Sequence, residues 1–285
     1  MLRLRNDIPL FPNGRQKALT FSFDDGVSQD IRFIKLLDKY NLKGTFNISS
    51  GLLGDRDWLV QSGLEVSHCK TSKIELKNIY RNHEVAAHSL THVNLANMPS
   101  GTIAYEITKD RDTLEGLVGY PICGMAYPFG TYNDKVKKAA DSCGIEYART
   151  IESTGAFTLP EDFLVWHPTC HYRDVINGEL VDNFLEELSL KEYHFPMLFY
   201  VWGHTYEFDG YGEWEEIERF MKKICHHKHV WYATNIEIYE YIKSFDNLKY
   251  SASGDFIYNP NRLDLWMCID CRIYKLPSGE IVQID

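Results

Sequence analysis

Apolar, β-branched and aromatic runs alternate with runs of helical periodicity along most of this 285-residue chain, and no other feature limits its fold as strongly. The strand-like runs are ALTFSF, GTFNIS, EVAAHS, CGMAYPF, EYARTI, FLVWHPT, PMLFYVWG and VWYATNI. Between them, SQDIRFIKLLDKYN carries Ile31, Ile34, Leu36 and Leu37 close to helical spacing, with Ser28 as the expected N-cap. SGTIAYEITKDRDTLEGLVG and TYNDKVKKAADSCG both end at a glycine, as helices commonly do. VINGELVDNFLEELSLKEY and GEWEEIERFMKKICHH are further expected helices. Strands that alternate with helices imply a parallel sheet, because parallel neighbours need a crossover long enough to hold a helix. About eight such strands suffice to close, or nearly close, a (β/α) barrel, with its chemistry at the carboxyl ends of the strands. From about Asn247 the pattern changes to short strands with turn signals at Ser253-Gly254, Asn259-Pro260 and Ser278-Gly279. The expected organisation is a barrel over residues 1–246 and a small antiparallel β appendage over 247–285.

Composition narrows the partners. A formal net charge of −10 without a Lys/Arg block argues against nucleic acid and against an anionic membrane surface. No apolar run reaches the length of a membrane span. The opening MLRLRNDIPLFPNGRQ has early arginines but no apolar core or small-residue cleavage site, so it does not read as a signal peptide. The seven cysteines are odd in number and scattered, unlike a secreted disulfide scaffold, and a reduced, cytoplasmic protein is expected. A single C-x-x-C, Cys268 to Cys271, reads more simply as strand residues than as half of a zinc site.

Four stretches at the ends of expected strands carry chemistry. TFSFDDG places Asp24 and Asp25 side by side after an apolar run. In a strand one of the pair faces inward, and a buried carboxylate needs a partner or a metal; an ordinary Asp-Gly turn is the alternative. In HEVAAHSLTHVNL, His88 and His92 stand four apart, so that a helical turn would let both imidazoles reach one ion. Two histidines and a carboxylate leave coordination positions open, as catalytic sites do; a pair of surface histidines is the alternative. AYPFGTYN combines a strand-ending Pro128 with a turn at Gly130 and can present a backbone N–H to an oxyanion. In LFYVWGHTYEFD, His204 follows a strongly apolar strand.

In this order the four stretches resemble the polysaccharide deacetylase family, also called the NodB-homology group or carbohydrate esterase family 4. The resemblance covers about residues 15–245 and implies a deformed (β/α) barrel of about seven to eight parallel strands. FSFDDG is similar to the family's T-F-D-D-G motif, which implies Asp24 as catalytic base and Asp25 as metal ligand. HSLTH is similar to H-[ST]-x-x-H, which implies His88 and His92 as metal ligands. AYPFG resembles R-x-P-[FY]-G, which implies that Phe129 offers its backbone N–H to the oxyanion. VWGH resembles the last motif, which implies His204 as general acid. The implied cofactor is a divalent ion, Zn²⁺ first, with Co²⁺, Ni²⁺ or Mn²⁺ as alternatives. The implied partner is an N-acetylated carbohydrate.

Two departures stand out. Ala126 occupies the place of the third motif's arginine, which in the family steadies the base. No D-x-x-D-W stretch, whose aspartate steadies that arginine, is found; the region reads EYARTIESTGAF. Arg149 lies on the strand after the one carrying Ala126, and strand alternation places Ala148 and Thr150 on the opposite face. It is therefore the expected replacement, with an ordinary surface arginine as the alternative. A related amide or acetyl-ester hydrolase and a non-catalytic carbohydrate-binding homologue are the alternative functions.

Overall fold

The structure is a computed structural model that describes residues 7–61, 63–176 and 178–284. Arg3 and Arg5 of the N-terminal reading, and Asn177 within one expected helix, lie outside the described residues. The elements run β1 (Asp7–Leu10), β2 (Lys17–Asp24), α1 (Asp30–Lys39), β3 (Gly44–Ile48), β4 (Trp58–Gln61), β5 (Leu64–Ser67), α2 (Lys73–Ile79), β6 (Glu84–Ala87) and α3 (Ser100–Val118). They continue with β7 (Gly124–Ala126), α4 (Asp134–Ser142), β8 (Tyr147–Arg149), β9 (Cys170–His171), α5 (Tyr172–Ile176), α6 (Glu179–Leu185), β10 (Met197–Gly203) and α7 (Thr205–Tyr211). Then follow α8 (Trp214–Ile224), β11 (Val230–Tyr232), α9 (Asn235–Lys243), β12 (Lys249–Tyr250), β13 (Phe256–Tyr258), β14 (Leu265–Ile269), β15 (Arg272–Leu276) and β16 (Ile281–Gln283).

The main sheet has the order β8-β7-β6-β3-β2-β10-β9, all parallel, with β11 paired to the first half of β2. Its two ends meet through the segment between β8 and β10. Trp166 donates to Ala148 O at 2.9 Å and accepts from Thr150 N at 3.0 Å, while Thr169 N donates to Tyr200 O at 2.8 Å. The strand–helix alternation implies a (β/α) barrel and the family resemblance a deformed one, which is the architecture observed.

Residues Leu19, Phe21 and Phe23 of β2 face outward into a cluster with Phe33 of α1, Phe46 of β3 and Phe208 of α7. The alternate residues Thr20, Ser22 and Asp24 point inward, and the barrel interior they enter is polar. Thr20 Oγ1 donates to Asn235 Oδ1 at 2.8 Å, and Asn47 Nδ2 donates to both Ser22 Oγ and Asp24 Oδ1 at 2.8 Å. Glu84 accepts from Tyr147 OH at 2.6 Å, Thr45 Oγ1 at 2.7 Å and Ile236 N at 2.9 Å. Thr20, Ser22, Asp24, Thr45, Asn47, Glu84, Tyr147 and Asn235 are all buried, so these polar side chains depend on the partners they have.

Several local expectations are corrected. Helix α1 starts at Asp30 with Gln29 at the N-cap position, and the Ser28 hydroxyl instead bonds the Gln29 side chain at 3.2 Å. FLVWHPT forms a 3₁₀ turn at Phe163–Val165 and a single bridge at Trp166 rather than a strand, since Pro168 has no N–H to continue a ladder. The stretch from Val175 to Tyr193 breaks into the end of α5 and the short α6, because Gly178 adopts φ 91° and cannot carry a helix across.

The C-terminal strands form two antiparallel sheets, β1-β14-β15 and β12-β13-β16, the first of which takes an edge strand from the start of the chain. Their apolar side, including Ile257, Leu265, Met267 and Leu276, packs on Phe11, Tyr147, Trp166 and Tyr241 beneath the barrel. The C-x-x-C does not run along one strand: Cys268 lies in β14, and Cys271 is the second residue of a tight hairpin turn in which Asp270 and Cys271 have φ 47° and 64°. Cys268 is buried and Cys271 exposed, and neither joins a metal-holding group among the described residues. No described helix is long and apolar enough to cross a membrane.

Burial raises the Glu84 carboxyl from 4.5 to about 7. The folded chain therefore holds this proton more tightly than the unfolded chain, a contribution present below about pH 4.5 and lost as pH rises to about 7. Glu84→Gln is expected to shrink the excess of stability at pH 4.5 over pH 8 by up to about 3 kcal/mol. Chemical denaturation at both pH values checks this; an unchanged difference would assign the proton to another group.

Candidate active site

At the carboxyl end of β2, Asp24 completes the strand and points into the barrel. Asp25 has φ 81° and is followed by Gly26 at φ 60°, so the chain leaves the sheet at once and the second carboxylate turns away from the alternation of the strand. A side chain at Gly26 would also meet Ile48 Cγ2 at 3.1 Å. Two adjacent carboxylates thus reach one cavity by different backbone routes.

The Asp24 carboxylate is held on both oxygens. Oδ1 accepts from Asn47, and Oδ2 accepts from the Arg149 guanidinium. In the β7–β8 register Arg149 stands directly opposite Ala126, so the guanidinium enters from the neighbouring strand at the level where the third motif lacks one. It is fully buried, donates to Thr150 O at 2.8 Å and lies 4.7 Å from the centre of the Trp202 ring. Burial pushes the Asp24 pKa up, but Arg149, with His88 and His204, more than offsets this and holds it below the ordinary value. Burial likewise opposes ionisation of Asp25, whose pKa is nonetheless well below the ordinary value because of His68 and Lys70. His68 Nε2 is 3.0 Å from Asp25 Oδ2, and Lys70 Nζ is 3.5 Å from Oδ1.

His88 and His92 do not share a helical turn. They bracket a loop after β6 in which Ser89 and His92 have φ 56° and 55°, and the left-handed residues bring the rings together at 4.8 Å. Helix α3 holds this loop. Asp110 Oδ2 accepts from His88 N at 2.9 Å, and Glu106 accepts from Thr91 N and Thr91 Oγ1 at 2.9 Å each. His88 Nδ1 lies 2.8 Å from Ala126 O, a carbonyl that can only accept, so Nδ1 carries the proton and Nε2 presents its lone pair. Burial lowers both pKa values, that of His92 to about 4, which keeps the imidazoles neutral. One ligand atom from each of Asp25, His88 and His92 lies within 4.8 Å of the others. Neutral imidazoles with an oriented Nε2, beside an ionised carboxylate, fit a divalent cation.

Asp24, Asp25, His88, His92, Phe129 and His204 all line one cavity of about 550 Å³, whose walls include Trp202, Tyr206, Leu59, His68 and Lys70. Phe129 has φ 59° and is 57% exposed, and its ring packs on His92 at 4.7 Å. His204 occupies the N-cap position of α7, with Nε2 3.9 Å from Asp24 Oδ2. Arg149 stands behind the cavity and is not part of its lining; it meets two residues that are, Asp24 and Trp202. Trp166, at the junction between β8 and β10, is buried in the core. The β4–β5 hairpin brings His68 and Lys70, which no motif marks. Glu207 and His171, close to His204, are also unmarked, although the H-x-x-E spacing at a helix start is a legible capping signal.

Residues 12–148 match the family model described as Polysaccharide deacetylase, and across that stretch the chain carries the family's sequence, as its motifs imply. Among solved structures, a Mycobacterium smegmatis protein classed with the polysaccharide deacetylases is 17% identical with a TM-score of 0.59, covering 84% of this chain and 94% of that one. A mutant of a Bacillus anthracis CE4 family pseudoenzyme, with restored enzymatic activity, is 18% identical with a TM-score of 0.51, covering 81% and 70%. A Streptococcus pyogenes deacetylase in complex with acetate is 20% identical with a TM-score of 0.42, covering 51% of this chain and 61% of that one. At these identities the likeness is one of fold. No curated protein matches the chain.

Removing one partner of a buried ion pair leaves the other charge without compensation, at about 3–5 kcal/mol. Arg149→Ala is expected to destabilise the fold by that amount while divalent-ion binding persists, whereas His88→Ala loses the ion with a smaller change in stability. Denaturation together with metal analysis of the purified variants checks both; loss of the ion in Arg149→Ala would contradict the separation of the two functions.

Proposed function

We propose that this protein is a metal-dependent hydrolase that removes acetyl groups from N-acetylated sugars. The observation that carries the reading is the convergence of Asp24, Asp25, His88, His92, Phe129 and His204 on one cavity, with Arg149 paired to Asp24 behind it. Asp25, His88 and His92 would hold a divalent ion, Zn²⁺ by its preference for such donors. When bound, the ion supplies Lewis acidity, lowering the pKa of a water and polarising the acetyl carbonyl.

The chain's own residues divide the remaining work. Asp24, kept ionised by Arg149, accepts a proton as water adds to the carbonyl carbon. The Phe129 N–H donates to the developing oxyanion. His204, whose pKa rises to about 9 because Glu207, Asp24 and Asp25 outweigh its burial, is protonated at neutral pH and can give a proton to the departing amine. The products are acetate and a free amino sugar. Trp202 and Tyr206 offer ring faces to a neutral sugar, which needs stacking and hydrogen bonds rather than a basic cleft, in keeping with the acidic chain.

Acetate release from N-acetylglucosamine oligomers and a panel of other acetylated amides and esters, with and without added Zn²⁺, Co²⁺, Ni²⁺ or Mn²⁺, tests this reading. Metal-stimulated release is expected, and stoichiometric sugar binding without release from any substrate would favour a non-catalytic carbohydrate binder. Asp24→Asn is expected to keep the ion and lose about 10²–10⁴-fold in turnover, since the amide cannot accept the proton. His204→Ala should slow amides more than activated esters, whose leaving groups need no proton; equal losses would remove the acid role.

A further inference from the structure

We propose that Glu207 and His171 are positioning residues for His204, with the Glu207 carboxylate bridging the two imidazoles so that His204 keeps a proton on Nδ1 and turns Nε2 to the reaction side. The inference rests on the reading of His204 as general acid. It begins with topology. Strands β9 and β10 are parallel neighbours with His171 opposite Trp202, and two residues beyond Trp202 the chain enters α7 with His204 at the N-cap. Glu207 is the third residue of that helix, where a side chain reaches back to the cap.

The distances follow that logic. Glu207 Oε1 lies 3.5 Å from His204 Nδ1, and Oε2 lies 3.1 Å from His171 Nε2 and 3.4 Å from His204 N. His204 Nδ1 is buried and has no hydrogen-bond partner of standard geometry among the described residues, so this carboxylate oxygen is the acceptor it faces. With its other oxygen held by His171 and by the backbone, Glu207 is not free to swing away. The groups facing His204 are Glu207 on its own helix and Asp24 and Asp25 at the end of β2, with His171 reaching it through Glu207. Signs alternate along Arg149, Asp24, His204 and Glu207, with His204 Nε2 3.9 Å from Asp24 Oδ2. Burial opposes ionisation of Glu207, but the neighbouring His171 and His204 imidazoles bring its pKa to about 2.

Glu207→Gln separates positioning from capping, because its amide oxygen still accepts the His204 N–H while the charge is gone. By NMR of the imidazole nitrogens, the His204 titration midpoint is expected to fall by about one unit or more in Glu207→Gln and by less in His171→Gln. In turnover, Glu207→Gln should lose about 10-fold or more in kcat on N-acetyl substrates, with KM within about twofold, the alkaline limb moved to lower pH and activated acetyl esters spared. An unchanged His204 midpoint would leave Glu207 as a helix cap only, and equal losses on amides and esters would overturn the proposal. So would loss of a second equivalent of divalent ion on changing Glu207 or His171, which would make the three side chains a cation site instead. If the wild-type chain releases acetate from no substrate, the deacetylase reading fails while the titration midpoint still decides the coupling.

Discussion

A guanidinium and a carboxylate buried together deep in a barrel set the conditions for everything around them. Arg149 and Asp24 are both out of solvent, so each depends on the other for its charge, and both depend on the polar interior for their remaining bonds. The alternation of β2 supplies that interior: its apolar residues face the helices, and Thr20, Ser22 and Asp24 face Asn235, Asn47 and Arg149. A carboxylate gripped on both oxygens has one orientation. The base of the proposed reaction is thus positioned by the barrel itself rather than by the loops above it.

The metal-ligand candidates are positioned by the opposite device. Asp25, Ser89 and His92 sit at positive φ on short loops, a conformation with a cost for non-glycine residues that the surroundings must sustain. The sustaining contacts are visible: Asp110 and Glu106 of α3 accept the backbone N–H groups of His88 and Thr91, and Ala126 O orients the His88 ring. Burial raises Asp110 to about 7, so this clamp is itself poorly solvated. Rigid helix carboxylates take the place of regular secondary structure in fixing the two imidazoles.

How much of this was legible in the sequence depends on how local the cause is. The long periodic helices α3 and α8 and the apolar β2 and β10 stand in the sequence because each carries its own pattern, and the parallel barrel follows from their order. Arg149 was legible for a comparable reason, a lone charge on a strand next to Ala126. The backbone route to His88 and His92 was not, because four-residue spacing suits a helix as well as a loop, and positive φ at Ser89 leaves no mark on composition. His68 and Lys70 arrive with the β4–β5 hairpin, whose placement over Asp25 depends on packing of Leu64 and Val66 against Val27 and Tyr206. Tertiary packing of this kind has no short-range signature. The strand expected at FLVWHPT failed where Pro168 interrupts the ladder, a signal present in the sequence but outweighed by apolar composition.

The two sides of the cavity solve one electrostatic problem in complementary ways. In the proposed reaction the base and the acid must hold opposite protonation states at one pH, though only a few ångströms separate Asp24 and His204. Left to burial alone, Asp24 would drift up and His204 down until both were neutral and neither useful. Arg149 behind Asp24 and Glu207 behind His204 reverse both tendencies, each supplying the charge opposite to that of the group it backs. The same pairing makes Asp24 and His204 support one another, since each is the other's counter-charge across 3.9 Å. In a chain with the family's arginine position vacated at Ala126, a cation one strand away restores the balance on the base side. A carboxylate one helical turn beyond the histidine supplies it on the acid side.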